Sequence, residues 1–195
     1  MHDVEAPAEG RQLLGAQIED FSLPRIGGGH GALAELLAGR RALAVVFWSA
    51  VCSHCRRYDA YLNALAARGD VGLAVVASRQ GESAAALAAA ARERGLAFPI
   101  LHDADRRLAR AWHVAQTPRV FLLDGERRLR YRGAIDNFKY PGDGERQAWL
   151  DDAIAAVVAG REVPRAETAS FGCPVQSVYY GMPKPLPGTS PGARS

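Results

Sequence analysis

The chain is poor in cysteine, with three in 195 residues, at positions 52, 55 and 173. That is too few for a disulfide-stapled scaffold, and a chain of this length can bury a core without one. Long apolar runs are missing too: none reaches the roughly 18 residues that a membrane-spanning helix needs, so no membrane segment is expected. Lysine is scarce, nearly all of the 24 basic residues being arginine, and the formal net charge is only +3. So small a balance leaves no electrostatic footprint for nucleic acid, and no such partner is expected. The opening MHDVEAPAEG has acids where a signal peptide carries a basic region and then an apolar one. As it stands the chain reads as cytoplasmic, or as periplasmic if it is a mature domain clipped from a precursor. Nothing in the sequence fixes an oligomeric state. An apolar share of 48% and a charged share of 23% fit one globular domain.

The apolar residues that are present fall into clear patterns. AQIEDFSLPRIGGG reads as a short strand or hairpin ending in a glycine turn, and GALAELLAGRR as a short amphipathic helix. ALAVVFWSA and VGLAVVA are continuous apolar runs without alternation, as expected of strands buried on both faces. From Cys52 the period changes: Cys55, Tyr58, Leu62 and Leu65 share one face of a helix that Gly69 stops. ESAAALAAAARERG is a second helix and ADRRLARAWHV a third, with Asp103 or Asp105 at its start. AFPILHD reads as extended, and the strands flanking Asp124-Gly125 as an antiparallel hairpin. GERQAWLDDAIAAVVAG is a final helix. Residues 161–195 hold six prolines and no helical period, an extended tail that contains Cys173. The predicted organisation is therefore a domain over 1–160, with 1–16 an extension, followed by that tail. Helices between parallel strands and a closing hairpin imply an α/β fold, a mixed sheet with helices on both faces.

Cys52 and Cys55 form a CxxC at the C-terminal end of a central strand, where open α/β sheets keep their active sites. The thiolate is the nucleophile in thiol–disulfide exchange, so an attacking cysteine needs a lowered pKa. At the first turn of a helix Cys52 meets unpaired N–H groups, with His54, Arg56 and Arg57 adding positive charge. Cys55 lies one turn on and begins the apolar stripe, so it is expected to be the more buried of the two. Structural zinc usually needs a second ligand pair. Only Cys173, His102 and His113 remain here, none so paired, and no metal is expected. His30, His102 and His113 are read as surface or loop residues.

FWSAVCSHC, followed downstream by QTPRVFLLD, resembles the thioredoxin superfamily. The resemblance implies a thioredoxin-like fold with Cys52 as attacking thiol and Cys55 as resolving thiol. It makes Pro118 a cis-proline that binds the substrate backbone, and Thr117 the residue whose backbone pairs with bound peptide. Trp48 resembles the superfamily's active-site tryptophan, expected near Cys52. FSLP, YRGAIDN, VVAGREVP and FGCPV are similar to the redoxin-domain branch related to the AhpC/TSA proteins, which includes TlpA-like members. Members often carry a third cysteine in a Gly-Cys-x-Ile tail motif, here Gly172-Cys173-Pro174-Val175. Cys173 is then either a third redox thiol or a buried tail anchor pinned by Phe171 and Val175.

The chain also departs from its resemblances. Peroxiredoxins have Pro and Thr where this chain has Val45 and Ser49, although Ser49 could hydrogen-bond a peroxide. Thioredoxins keep a buried Asp where this chain has Val46. His54 before the second cysteine resembles strongly oxidising centres, where it stabilises the attacking thiolate. The expected function is a thiol–disulfide oxidoreductase that exchanges with protein thiols and disulfides and with an electron-exchanging partner protein. It needs no cofactor beyond its redox-active disulfide. The alternatives are a thiol peroxidase using Cys52, a copper or zinc carrier through Cys52 and Cys55, and a non-catalytic binding module.

Overall fold

A computed structural model describes residues 14–139 and 144–176. The expectations for residues 1–13 and for the tail after 176 lie outside the described residues. The chain begins with a small hairpin, β1 (Ser22–Pro24) and β2 (His30–Ala32), with Ser22 opposite Ala32. Gly27, Gly28 and Gly29 all have positive φ and make the turn, a conformation that costs glycine little. Helix α1 (Leu33–Leu37) leads into β3 (Ala42–Trp48), then α2 (Ser53–Arg56), α3 (Asp59–Ala66), β4 (Val71–Ala77), α4 (Ala84–Glu93) and β5 (Ile100–His102). After α5 (Arg107–Ala111) come β6 (Gln116–Thr117), β7 (Arg119–Asp124), β8 (Leu129–Gly133), α6 (Trp149–Val158) and β9 (Cys173–Pro174).

The central sheet has the order β5-β4-β3-β7-β8. Strand β3 runs parallel to β4 and antiparallel to β7, so Val46 is paired with Val75 on one side and Val120 on the other. Every residue of β3 and β4 is buried, because the sheet is covered on both faces. Ala44, Val46 and Trp48 point to the side of Leu62, Leu65 and Ile154 from α3 and α6. Leu43, Val45 and Phe47 meet Leu33, Leu37 and Trp112 on the other side. Two-sided burial is what an apolar run without alternation records.

Two features depart from the sequence reading. The helix expected to run unbroken from Cys52 is interrupted at Tyr58, whose backbone (φ −101°, ψ 7°) leaves the helical region. Tertiary bonds cover the break: the Tyr58 hydroxyl donates to Asp136 Oδ1 at 2.5 Å, and Asp59 takes two bonds from Arg94 at 2.5 and 2.7 Å. The predicted face survives, with Cys55, Tyr58, Leu62 and Leu65 all buried. Helix α5 starts later than expected, after Arg106 in the left-handed region (φ 57°). Asp103 still caps it from a distance, accepting from the N–H groups of Leu108 and Ala109 at 3.2 and 2.9 Å and from the Ser78 hydroxyl at 2.8 Å.

The described part of the tail, 161–176, is packed onto the domain. Thr168 is buried between Tyr131 and Ala134, Val175 is 3% exposed, and β9 pairs with β6.

Candidate active site

Strand β3 delivers the chain to the site and ends at Trp48, four residues before Cys52. The intervening loop is held by a residue the sequence reading did not single out. Glu82, after β4, uses Oε1 to accept from the Ser49 hydroxyl (3.1 Å) and the N–H groups of Ala50 (2.8 Å) and Val51 (3.3 Å). Its Oε2 is buried with no hydrogen-bond partner among the described residues. Burial pushes the Glu82 carboxyl above the usual carboxylate range, against the pull of those three bonds. Ser49 is fully buried and donates its hydroxyl to Glu82, so the peroxide-binding role considered for it is not supported.

Cys52 sits at the start of α2 in extended conformation, and its carbonyl accepts from the N–H groups of Cys55 (3.0 Å) and Arg56 (3.1 Å). Across from it lies β6, followed by the cis Thr117–Pro118 peptide. As a thiol, Cys52 donates to the Thr117 carbonyl at 3.3 Å. As a thiolate it loses that bond and gains others. The Cys55 thiol donates to it most strongly, and the thiol and N–H of Cys173 and the N–H of Cys55 add to this. Together they hold Cys52 down to about 4, from an ordinary thiol value of 9.0, in spite of its burial.

The two neighbours are pushed the other way. Burial, then its bond to Cys52, raises Cys55 well above the ordinary range, with Thr117 and the Ser49 N–H pulling back. Burial and the charge on Cys52 also raise Cys173. The three cysteines thus act on one another, favouring the thiolate at Cys52 and the thiol at the other two.

Several predicted residues stand differently from the sequence reading. Cys52 is 1% exposed, as buried as Cys55, because the tail covers it. The His54 ring does not turn to Cys52; it packs edge-on against Phe171 at 5.1 Å, and the His54 N–H donates to Cys173. Cys55 and Cys173 are the neighbours that favour the Cys52 thiolate. Arg57 bonds the Phe138 carbonyl at 3.2 Å.

Trp48 is wholly buried, edge-on to Phe98 at 6.1 Å and beneath the Arg94 guanidinium at 5.0 Å, and shares the core with Cys52. Val175, not Phe171, is the apolar anchor of the tail, since Phe171 is 40% exposed. His102 is half-buried on β5 and bonded to the Glu82 carbonyl at 3.0 Å, whereas His30 and His113 are exposed. Among the described residues no group of three or more His, Cys, Asp and Glu side chains is arranged to hold a metal ion, and no helix is long and apolar enough to cross a membrane.

Glu82 left no signal in the sequence, where GES reads only as the start of a helix. The seating of the tail had one, the Gly-Cys motif, though nothing local says where it lands.

Comparison with known proteins agrees with this architecture. A thiol-disulfide oxidoreductase ResA from Geobacillus kaustophilus is 28% identical over 112 residues, 57% of this chain and 63% of the relative's length. A hypothetical protein from Sinorhizobium meliloti has a crystal structure that superposes with a TM-score of 0.73 at 32% identity, covering 83% of this chain and 93% of that one. A secreted Mycobacterium tuberculosis disulfide oxidoreductase described as homologous to E. coli DsbE shares the fold at 19% identity and a TM-score of 0.52, over 72% of this chain and 95% of that one. The fold is thioredoxin-like. The AhpC/TSA family model matches residues 14–132, which takes in both strands of the sheet centre, the CxxC and the cis-proline but stops short of Cys173. Over that span, and by that match, the chain belongs to the AhpC/TSA family.

Proposed function

We propose that the protein is a thiol–disulfide oxidoreductase that exchanges a Cys52–Cys55 dithiol with disulfides of protein substrates. The observation that carries this is the placement of the pair. Cys52 at the start of α2, with Cys55 one turn on and buried behind it, faces the cis Thr117–Pro118 peptide, its thiol 3.3 Å from the Thr117 carbonyl. This arrangement favours the thiolate at Cys52 and the thiol at Cys55. Cys52 thiolate attacks one sulfur of the substrate disulfide. A mixed disulfide forms and the other substrate sulfur leaves as a thiolate. Cys55 gives up its proton and attacks Cys52, the substrate's first sulfur departs, and the chain is left with a Cys52–Cys55 disulfide. Two electrons have passed to the substrate, and its two thiolates take up protons, one of them that of Cys55. An electron-exchanging partner protein runs the same steps backwards to restore the dithiol. Thr117 and Pro118 would hold the substrate backbone beside Cys52, and no metal or organic cofactor takes part. The resemblance to ResA supports the same reading. The peroxidase alternative has less support, because the Ser49 hydroxyl is committed to Glu82.

Stabilising the thiolate stabilises the reduced form, so the potential is expected well above the roughly −270 mV of thioredoxin. The test is a titration of the full chain in glutathione buffers, with alkylation and mass mapping of each cysteine. A reversible Cys52–Cys55 disulfide is expected, with exchange abolished in Cys52→Ser. If these two cysteines never pair, the reading is wrong.

A further inference from the structure

The edge of β6, next to the cis-proline, is where an extended substrate would add a strand. In this structure the strand there is the chain's own. Thr117 pairs with Cys173 and Gln116 with Pro174, and the Val175 N–H donates to the Ala115 carbonyl at 2.9 Å. Cys173 therefore stands where the substrate's cysteine would, paired with Thr117, whose carbonyl takes the Cys52 thiol at 3.3 Å.

The seat is built from several sides. Arg79 donates to the Pro174 carbonyl at 2.9 Å and the Gln80 N–H to the Val175 carbonyl at 2.9 Å. The Ser170 hydroxyl takes a bond from Arg119 at 2.9 Å. Gly172 lies so close to the Thr117 carbonyl that any Cβ there would collide with it. Cys52 is 1% exposed under this cover, whereas Cys173 is only half-buried.

We propose that residues 172–175 are an intramolecular peptide ligand of the substrate groove and that Cys173 is a third redox thiol, exchanging directly with Cys52. This rests on the reading of Cys52 as the attacking thiol. Starting from the Cys52–Cys55 disulfide, Cys173 loses its proton and attacks Cys52. The Cys52–Cys55 bond breaks, the Cys52–Cys173 bond forms, and Cys55 takes up the proton. No outside oxidant is used. The new disulfide presents its Cys173 sulfur outward. A dithiol partner can attack there and release Cys52, the best leaving group of the three because its thiolate is the most stable. The partner's second thiol then frees Cys173, and the partner carries the disulfide away. A protein substrate that engages Cys52 itself must first displace the tail, so the tail competes with it.

The experiment is disulfide mapping of the full-length chain after partial oxidation in glutathione buffer, on wild type and on Cys55→Ser. The expected result is a Cys52–Cys173 linked peptide, dominant in Cys55→Ser and present beside Cys52–Cys55 in wild type. Adding Gly172→Ala should remove that peptide and speed alkylation of Cys52 by about tenfold or more, since reactivity tracks the open population. The proposal is overturned if Cys52 of Cys55→Ser is found only joined to glutathione while Cys173 stays free. Wild type decides the matter if that variant fails to fold. Cys52–Cys55 alone overturns the relay and leaves the proposed function standing, and neither disulfide overturns both.

Discussion

Replacing Cys173 with alanine removes one sulfur donor from the Cys52 thiolate and leaves the rest of the site in place. The side-chain bond from Cys55 is the larger support, and that from Cys173 comes next among those favouring the thiolate. A hydrogen bond to a charged acceptor is worth about 2 kcal/mol, and one pH unit corresponds to about 1.4 kcal/mol, so its loss should raise Cys52 by about one to two units. From about 4 in the intact site, the midpoint should move to about 5–6 in Cys173→Ala. The same loss lowers the Cys52–Cys55 potential by about 30–60 mV, since about 30 mV corresponds to one such unit for a two-electron couple. The assay is a thiolate absorbance titration of the reduced protein against a Cys52→Ser blank. Cys173→Ser keeps a hydroxyl donor and should hold its midpoint close to that of wild type. A midpoint unmoved by alanine, or a wild-type Cys52 that titrates like a free thiol, would refute the three-sulfur account.

Stability should depend on pH and redox state together. The folded value of Cys52, about 4, lies below its ordinary 9.0. Its contribution is therefore full above the unfolded value and is lost as pH falls through the folded one. The stability of reduced minus oxidised protein, measured by urea unfolding, should rise from pH about 4 to about 9; a flat difference would contradict it. Over the same range only Cys55 of the pair takes up a proton on reduction, so the potential should fall by about 30 mV per pH unit and not by twice that. Asp103→Ala strips an acceptor from Ser78, Leu108 and Ala109. It should cost about 2–3 kcal/mol in a denaturant titration, with Asp103→Asn milder, and a loss below about 0.5 kcal/mol would mean that water or a neighbour replaces the cap.

What the sequence determined by itself are the features written in neighbouring residues. Continuous apolar runs placed β3 and β4, because a strand covered on both faces has no polar side to alternate with. Asp124-Gly125 marked the turn between β7 and β8, and the CxxC marked the two cysteines that the proposed function uses. The tertiary structure decided what depends on residues far apart in the chain. Glu82 reaches back 33 positions to occupy Ser49. Cys173, 56 positions beyond Thr117, lands on the strand beside the cis-proline. Charge near a cysteine in sequence is a poor guide to its thiolate, because the bonds that stabilise it are set by direction and distance, and only the fold supplies those.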